Sequence, residues 1–247
     1  MIEGKNIVVW FSCGAPSAVA SKLIIEKFGT TNNIAIINNP VDEEDIDNRR
    51  FLNDISKWIG QPIESATNPL YNTTSAERIW EEVRYMSGIH GAPCTKILKK
   101  QARHHYENTH QIDFHVLGYA YDEQHRHERF IKFERENVIP ILIEEKITKQ
   151  ECFEIIIAAG LQLPLTYLLG YPNANCIGCV KATSPTYWNK VRETHPEVFE
   201  RRAEQSYRLG VRLVRYKGKR IFLHDLPNDA VGQKMKSYEC GIFCETG

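Results

Sequence analysis

The run from residue 6 to residue 28 constrains this chain more than any other stretch. It reads Asn-Ile-Val-Val-Trp-Phe, then Ser12-Cys13-Gly14-Ala15-Pro16-Ser17, then a segment that places Val19, Leu23, Ile24, Lys27 and Phe28 at helical spacing before Gly29. The first block, β-branched and aromatic, has the pattern of a buried parallel strand. The last has the 3.6-residue period of a helix, with Gly29 expected as its stop. Pro16 suits the first helical positions, where a missing N–H costs nothing. A strand that feeds a helix through small residues points backbone N–H groups outward at the positive end of the helix dipole. Such a turn is a site for an anion, most often a phosphate.

The next 120 residues repeat the alternation. Strands are expected over Asn33–Asn38, 62–66, 114–118 and 138–143. Helices are expected up to Trp58 with a stop at Gly60, from a Thr73 or Thr74 cap through Met86, and over 95–106. Strands separated by helices of this length imply an α/β fold with a doubly wound, mostly parallel sheet, which binds ligands at the carboxyl ends of its strands. After about residue 146 the texture changes. A capped helix over 148–160, a loop-rich stretch over 161–179, helices over 184–195 and 196–209, and a hairpin of 211–216 with 219–223 are expected. At 247 residues the chain suits one α/β core over 1–146 with a C-terminal helical and hairpin elaboration over 147–247 packed on it.

Charge excludes a global polyanion-binding field, since 31 basic residues meet 31 acidic ones. A local basic bias does run through Arg201, Arg202, Arg208, Arg212, Arg215, Lys217, Lys219 and Arg220, with Tyr207 and Tyr216 interleaved. That pattern suits a nucleic-acid backbone as readily as a solvated surface. No apolar stretch is long enough to span a membrane, and the N-terminal one, preceded by Glu3 and Lys5, is too short for a signal peptide. The expected location is the cytosol. His104 and His105 lie on a helix, and His125 and His127 in a charged run, where a solvated or phosphate-facing role is favoured over metal binding.

Seven cysteines stand at 13, 94, 152, 176, 179, 240 and 244. An odd number without an export signal argues against a disulfide framework. Cys152, inside an apolar helical stretch, is expected in the core. Cys176-Ile-Gly-Cys179 places two thiolates on bendable backbone, a spacing shared by zinc sites, iron–sulfur sites and redox dithiols. No thioredoxin-like setting precedes it. Cys94 stands before a helix, and Cys240 and Cys244 offer two more sulfurs in the tail.

The loop Ser12–Ser17 is neither a dinucleotide fingerprint nor a Walker motif. It resembles the S-G-G-x-x-S pyrophosphate loop of the PP-loop family, the adenine-nucleotide α-hydrolases. Ser12, Gly14 and Ser17 match; Cys13 stands where the first glycine usually is, and Pro16 where an acidic residue is frequent. The chain is similar in particular to the PAPS reductase-like branch. Cys94, in Pro93-Cys94-Thr95-Lys96, resembles that branch's first cysteine element, and Cys176 and Cys179 resemble its downstream pair, 82 positions on from Cys94. Residues 113–118 followed by Glu123 and Arg126 or Arg129 look like its glycine–glutamate–arginine stretch. The resemblance covers most of residues 5–182.

What the resemblance implies is a Rossmann-like PP-loop fold and a nucleotide site of Ser12, Cys13, Gly14, Ala15, Ser17, Asn38, Gly118, Glu123, Arg126 and Arg129. It also implies a [4Fe-4S] cluster on Cys94, Cys176 and Cys179, with ATP or PAPS and Mg2+ as further cofactors. Pro93 stands where cluster-bearing reductases carry a second adjacent cysteine, so the fourth ligand is Cys240, Cys244 or none. Ala120 stands where reductases tend to have arginine. Two chemistries follow. In the first, ATP-pyrophosphatase-type adenylation is coupled to sulfur transfer onto a nucleic-acid or small-molecule acceptor, with Cys240 and Cys244 as candidate catalytic thiols. In the second, a sulfonucleotide reductase, Cys240 in Glu239-Cys240-Gly241-Ile242 attacks sulfur and a thioredoxin-like partner resolves it. An idle nucleotide-binding module and a homo-oligomer both stay open.

Overall fold

The structure, a computed structural model, describes residues 2–88 and 91–235. Chain order is β1 (Asn6–Phe11), α1 (Ala15–Phe28), β2 (Asn33–Asn38), α2 (Asp47–Ile59), β3 (Ile63–Ser65) and α3 (Ala76–Val83). A π-helical stretch (Thr95–Gln101) then runs into α4 (Ala102–Thr109), followed by β4 (Phe114–Val116), α5 (Gln124–Phe133), β5 (Val138–Ile139) and α6 (Ile141–Glu144). The C-terminal part holds α7 (Lys149–Ala158), α8 (Leu165–Leu168), α9 (Pro185–Thr194), α10 (Pro196–Arg208) and the hairpin β6 (Val214–Tyr216) with β7 (Lys219–Ile221).

The five long-range strands form one parallel sheet in the order β3-β2-β1-β4-β5. The α/β, doubly wound expectation holds. Alternation within β1 sends Ile7, Val9 and Phe11 to one face, where they pack with α1, α2 and α7, and Val8 and Trp10 to the other, against Phe130 and Tyr106. Cys152 and Ile156 of α7 belong to the first face, so Cys152 is core as expected. A third apolar cluster joins Ile79, Trp80, Ile97 and Leu98 to Trp188, Val191, Phe199 and Val214, fastening α9, α10 and the hairpin to the edge of the sheet domain.

β1 and β2 match their expected bounds; other boundaries moved for identifiable reasons. Ser75, not Thr73 or Thr74, caps α3: its side chain accepts from Arg78 N, while Thr73 Oγ1 accepts from Ser75 N. α3 ends at Arg84, in the left-handed region at φ 54°, short of Met86. Pro140 ends the last strand, and the expected run over 138–143 becomes two strand residues followed by a short helix. Gly29 ends α1 in right-handed conformation, whereas Gly60 closes α2 at φ 78°. Lys217 and Gly218 both take positive φ, the signature of a two-residue type I′ turn.

Candidate nucleotide and cysteine site

The sheet's strand order reverses at β1, so the connections leaving β1 and β4 diverge and open a crevice between their carboxyl ends. Ser12–Ser17 lies on one side of it. Cys13 takes φ 56°, the left-handed region that favours glycine. Its side chain is buried, and Sγ accepts from Asn38 Nδ2 at 3.7 Å, while the same amide group donates to Phe11 O at 2.9 Å. Burial, with Glu44 nearby, pushes the Cys13 thiol well above its ordinary pKa, so it stays protonated and serves as a packing group. Ser17 Oγ donates to Gly14 O at 2.8 Å, accepts from Ser12 N at 3.1 Å and lies 3.2 Å from Ser12 Oγ. Ser17 is buried and shapes the loop; Ser12 is exposed at its mouth.

Gly14 is the N-cap of α1 and supplies no side-chain acceptor, and Pro16 has no N–H. A tyrosine enters there instead. Tyr167 Oη, on α8, is buried beside the backbone of Ala15 and of Ala174. It lies 3.2 Å from where a Cβ on Gly14 would stand. Burial pushes the phenol up, so it remains a neutral hydroxyl. Gly118, just beyond β4, closes the other wall: a Cβ there would sit 2.7 Å from Ser17 N, 2.9 Å from Ser17 Cα and 3.1 Å from the Pro16 carbonyl carbon. Only a residue without a side chain lets β4's exit touch the first turn of α1.

Next along the chain, Glu123 pairs with Arg126, whose guanidinium lies 5.1 Å over the Tyr119 ring. Arg129 is exposed on α5. His127 on the same helix is buried, and burial lowers its pKa, which places it in the packing rather than the solvent. Lys149, at the start of α7, donates to Pro172 O at 2.6 Å and Asn173 Oδ1 at 2.7 Å and sits 5.7 Å over the Tyr167 ring. Burial lowers its pKa.

On the other side of the loop a cleft of about 330 Å³ is lined by Cys13, Asn38, Glu44, Asp45, Ser65 and Thr74 among others. Its carboxylates are already engaged. Glu44 pairs with Lys99 at 3.2 Å, Asp45 with His195 at 3.4 Å, and Asp42 accepts from Thr74 Oγ1 at 2.7 Å. Glu43 caps α3 through Ala76 N at 2.7 Å and Glu77 N at 3.0 Å, and its carbonyl accepts from Ile177 N at 3.0 Å. Asn48 Nδ2 donates to Ala174 O at 3.0 Å. Glu43 and Asn48 therefore tie the Cys176–Cys179 loop to the segment before α2 and to α2, and Tyr167 lies between that loop and the phosphate-type loop.

Cys176 and Cys179 line one small cavity of about 20 Å³ with Tyr171, Asn173, Asn175 and Tyr187. Tyr187 Oη accepts from Cys179 N at 2.8 Å. Gly178, between them, takes φ 68°, and a Cβ there would meet Val198 Cγ1 at 2.9 Å. Cys94 packs against the same apolar cluster as this pair. The donors suit a soft metal or iron–sulfur group in kind: two sulfurs on one cavity and a third in the same cluster. The cavity has room for about one water. Among the described residues no three His, Cys, Asp or Glu side chains are grouped as metal ligands. Cys240 and Cys244 lie outside the described residues.

The sequence reading missed Tyr167 and Lys149. Tyr167 sits in the short leucine-rich segment Leu-Thr-Tyr-Leu and reads as apolar filling, and its partner is 152 positions away at Ala15. Lys149 follows a capping-box threonine and reads as an ordinary first-turn residue. No local pattern announces either.

No family model matches the chain, and no curated protein matches it. Among solved structures it is similar to the U34-tRNA thiolase NcsA from Methanococcus maripaludis with its [4Fe-4S] cluster, at 13% identity and a TM-score of 0.49 over 98% of this chain and 80% of that one. A likeness this distant assigns no residue and no activity to this chain. Among the described residues no helix is long and apolar enough to cross a membrane.

Proposed function

We propose that this chain is a PP-loop enzyme that binds an adenine nucleotide at Ser12–Ser17 and couples adenylation of an acceptor to sulfur transfer. The observation that carries the reading is the junction of Gly118 with Ser17: the exits of β1 and β4 meet at the sheet's switch point, with the first turn of α1, whose N-cap Gly14 has no side-chain acceptor, between them. In this reading the pyrophosphate lies along the loop, with Ser12 and the loop N–H groups as donors and Mg2+ neutralising the leaving group. The neighbouring cleft takes the nucleoside. Its amide oxygens accept from ribose hydroxyls and an exocyclic amine, Asn48 Oδ1 being unpartnered among the described residues. Glu123, Arg126 and Lys149 stand on the acceptor side.

An acceptor oxygen attacks the α-phosphorus and pyrophosphate leaves. Sulfur at the sulfide level then displaces AMP, so no electrons are exchanged and no reductant is required. Cys94, Cys176 and Cys179 would hold the iron–sulfur group, which supplies a place to carry that sulfur. The chain's own part is to hold the cysteine loop beside the nucleotide site, with Tyr167 between the two loops and Glu43 and Asn48 anchoring the cysteine loop at the edge of the cleft. ATP and PAPS titrations, with iron and sulfide analysis after anaerobic purification, test the reading. It expects ATP binding weakened by Ser17→Ala, and iron lost in the serine variants of Cys94, Cys176 and Cys179. PAPS binding with sulfite release that depends on Cys240 would replace it with the reductase. Nucleotide binding without turnover would mark an idle module.

A further inference from the structure

The hairpin β6–β7 carries charge in an arrangement that folding alone disfavours. Residues 211–221 hold five cations, Arg212, Arg215, Lys217, Lys219 and Arg220, and no carboxylate, in a chain whose overall charge is zero. All five are exposed. Among the described residues none pairs with a carboxylate, whereas Arg201, Arg202 and Arg208 on α10 all pair with Glu77 or Glu81. Arg215 and Arg220 stand directly opposite each other in the antiparallel register, and like charges in that position destabilise a two-stranded ribbon.

Rings line the same surface. Phe222 lies under Arg212 at 5.1 Å and against Tyr207 at 5.1 Å, and Tyr207 is 62% exposed. A groove of about 430 Å³ runs beneath, walled by Arg212, Arg220, Phe222, Ser87 and Val180. Val180 is the residue after Cys179, and Arg215 N donates to Thr183 O at 2.8 Å, so the hairpin is stitched to the cysteine loop.

We propose that this hairpin face docks a single-stranded stretch of nucleic acid, its phosphodiester groups on Arg212, Arg215, Lys217 and Arg220 and a base on Tyr207. The pairing of unneutralised cations with an exposed ring is what a flexible strand needs and what a rigid protein surface does not. Resting on the reading above, this makes a polynucleotide the sulfur acceptor and places it beside Cys176 and Cys179.

The test is fluorescence anisotropy of the full chain with labelled 20-nucleotide single strands of RNA and of DNA, from 50 to 200 mM salt. With four phosphates neutralised, the logarithm of affinity falls against that of salt with a slope of about −3. Arg215→Gln with Arg220→Gln reduces that slope by about 1.4, weakens binding at least tenfold at 50 mM salt, and leaves the melting temperature unchanged or higher. Tyr207→Ala weakens binding with the slope retained. Arg78→Gln, on α3, changes neither. The stronger of the RNA and DNA arms names the sugar. Equal affinity and slope in the double variant, or no binding of either strand, overturns the proposal. ATP titration of the same variants separates the two readings. Strand binding without ATP binding leaves the surface standing and removes the enzyme, and ATP binding without strand binding does the reverse.

Discussion

Gly118→Ala is the substitution whose effect the structure fixes most tightly. The added methyl would stand 2.7 Å from Ser17 N and 2.9 Å from Ser17 Cα, where ordinary contact begins at 3.4 Å, so one wall must move by about 0.7 Å. Both neighbours are backbone and cannot rotate away. Nor is α1 loose: Ala15, Ala18, Val19 and Ala20 are all buried in the sheet's core. Overpacking of this kind costs about 1–3 kcal/mol of stability. The same shift moves the first turn of α1 relative to the proposed pyrophosphate site, and displacement approaching 1 Å at a positioned group reduces turnover by about a hundredfold. Gly60→Ala is the matched control. At φ 78° with nothing within 4 Å of its Cβ, it loses stability through backbone strain alone, about 1–2 kcal/mol, at a distance from the loop. Urea denaturation and ATP calorimetry on both variants give the comparison. Similar losses of stability with nucleotide affinity lowered only in Gly118→Ala are expected. If Gly118→Ala binds ATP as the wild type does, the junction with Ser17 does not position the loop and the reasoning fails.

Three further outcomes follow from the same geometry. Tyr167→Phe removes a buried hydroxyl that lies beside the Ala15 and Ala174 amides, which costs about 1–3 kcal/mol, and hydrogen exchange at both amides should accelerate together; unchanged exchange would show that Tyr167 does not bridge the loops. Gly178→Ala sets a methyl against Val198 Cγ1 at positive φ, so bound iron per chain should fall while ATP affinity holds. His115, buried behind Trp10 and beside Arg135 and Arg103, has its pKa lowered to about 3 by burial and those guanidinium groups. Because the folded value lies below the unfolded one, near 6.5, the unfolded chain binds the extra proton. Stability should therefore fall as pH drops from about 6.5 toward about 3, and His115→Gln should flatten that part of the pH–stability curve.

Much of this arrangement is written locally. Val8, Val9 and Trp10 followed by small residues and then the 3.6 period of Val19, Leu23 and Ile24 specify β1, the loop and α1 without outside help, because each element's burial demand is met by its own periodicity. The parallel order follows from strands separated by helices. Other features are decided by tertiary contact. Thr73, Thr74 and Ser75 are all good caps, and what selects Ser75 is Glu43, whose carboxylate accepts from Ser75 Oγ, Ala76 N and Glu77 N. In the candidate site, Ser12, Gly14, Ser17 and Gly118 are legible through the motifs they resemble, and at Gly118 the close approach of the Ser17 backbone also requires a residue without a side chain. Tyr167 is not, since a side chain that packs between two loops distant in sequence leaves no periodic trace. Ser17 also holds the loop's shape through Gly14 O and Ser12 N, and Ser12 is exposed at its mouth.

The measurement that bears most directly on the account is the identity of the products formed from ATP. The anaerobically purified chain, with Mg2+ and a single-stranded RNA or DNA, should release AMP and pyrophosphate in equal amounts, with sulfur appearing in the polynucleotide, and Ser17→Ala should abolish both. Release of ADP and phosphate, or no cleavage between the α- and β-phosphates under any of these conditions, would contradict it.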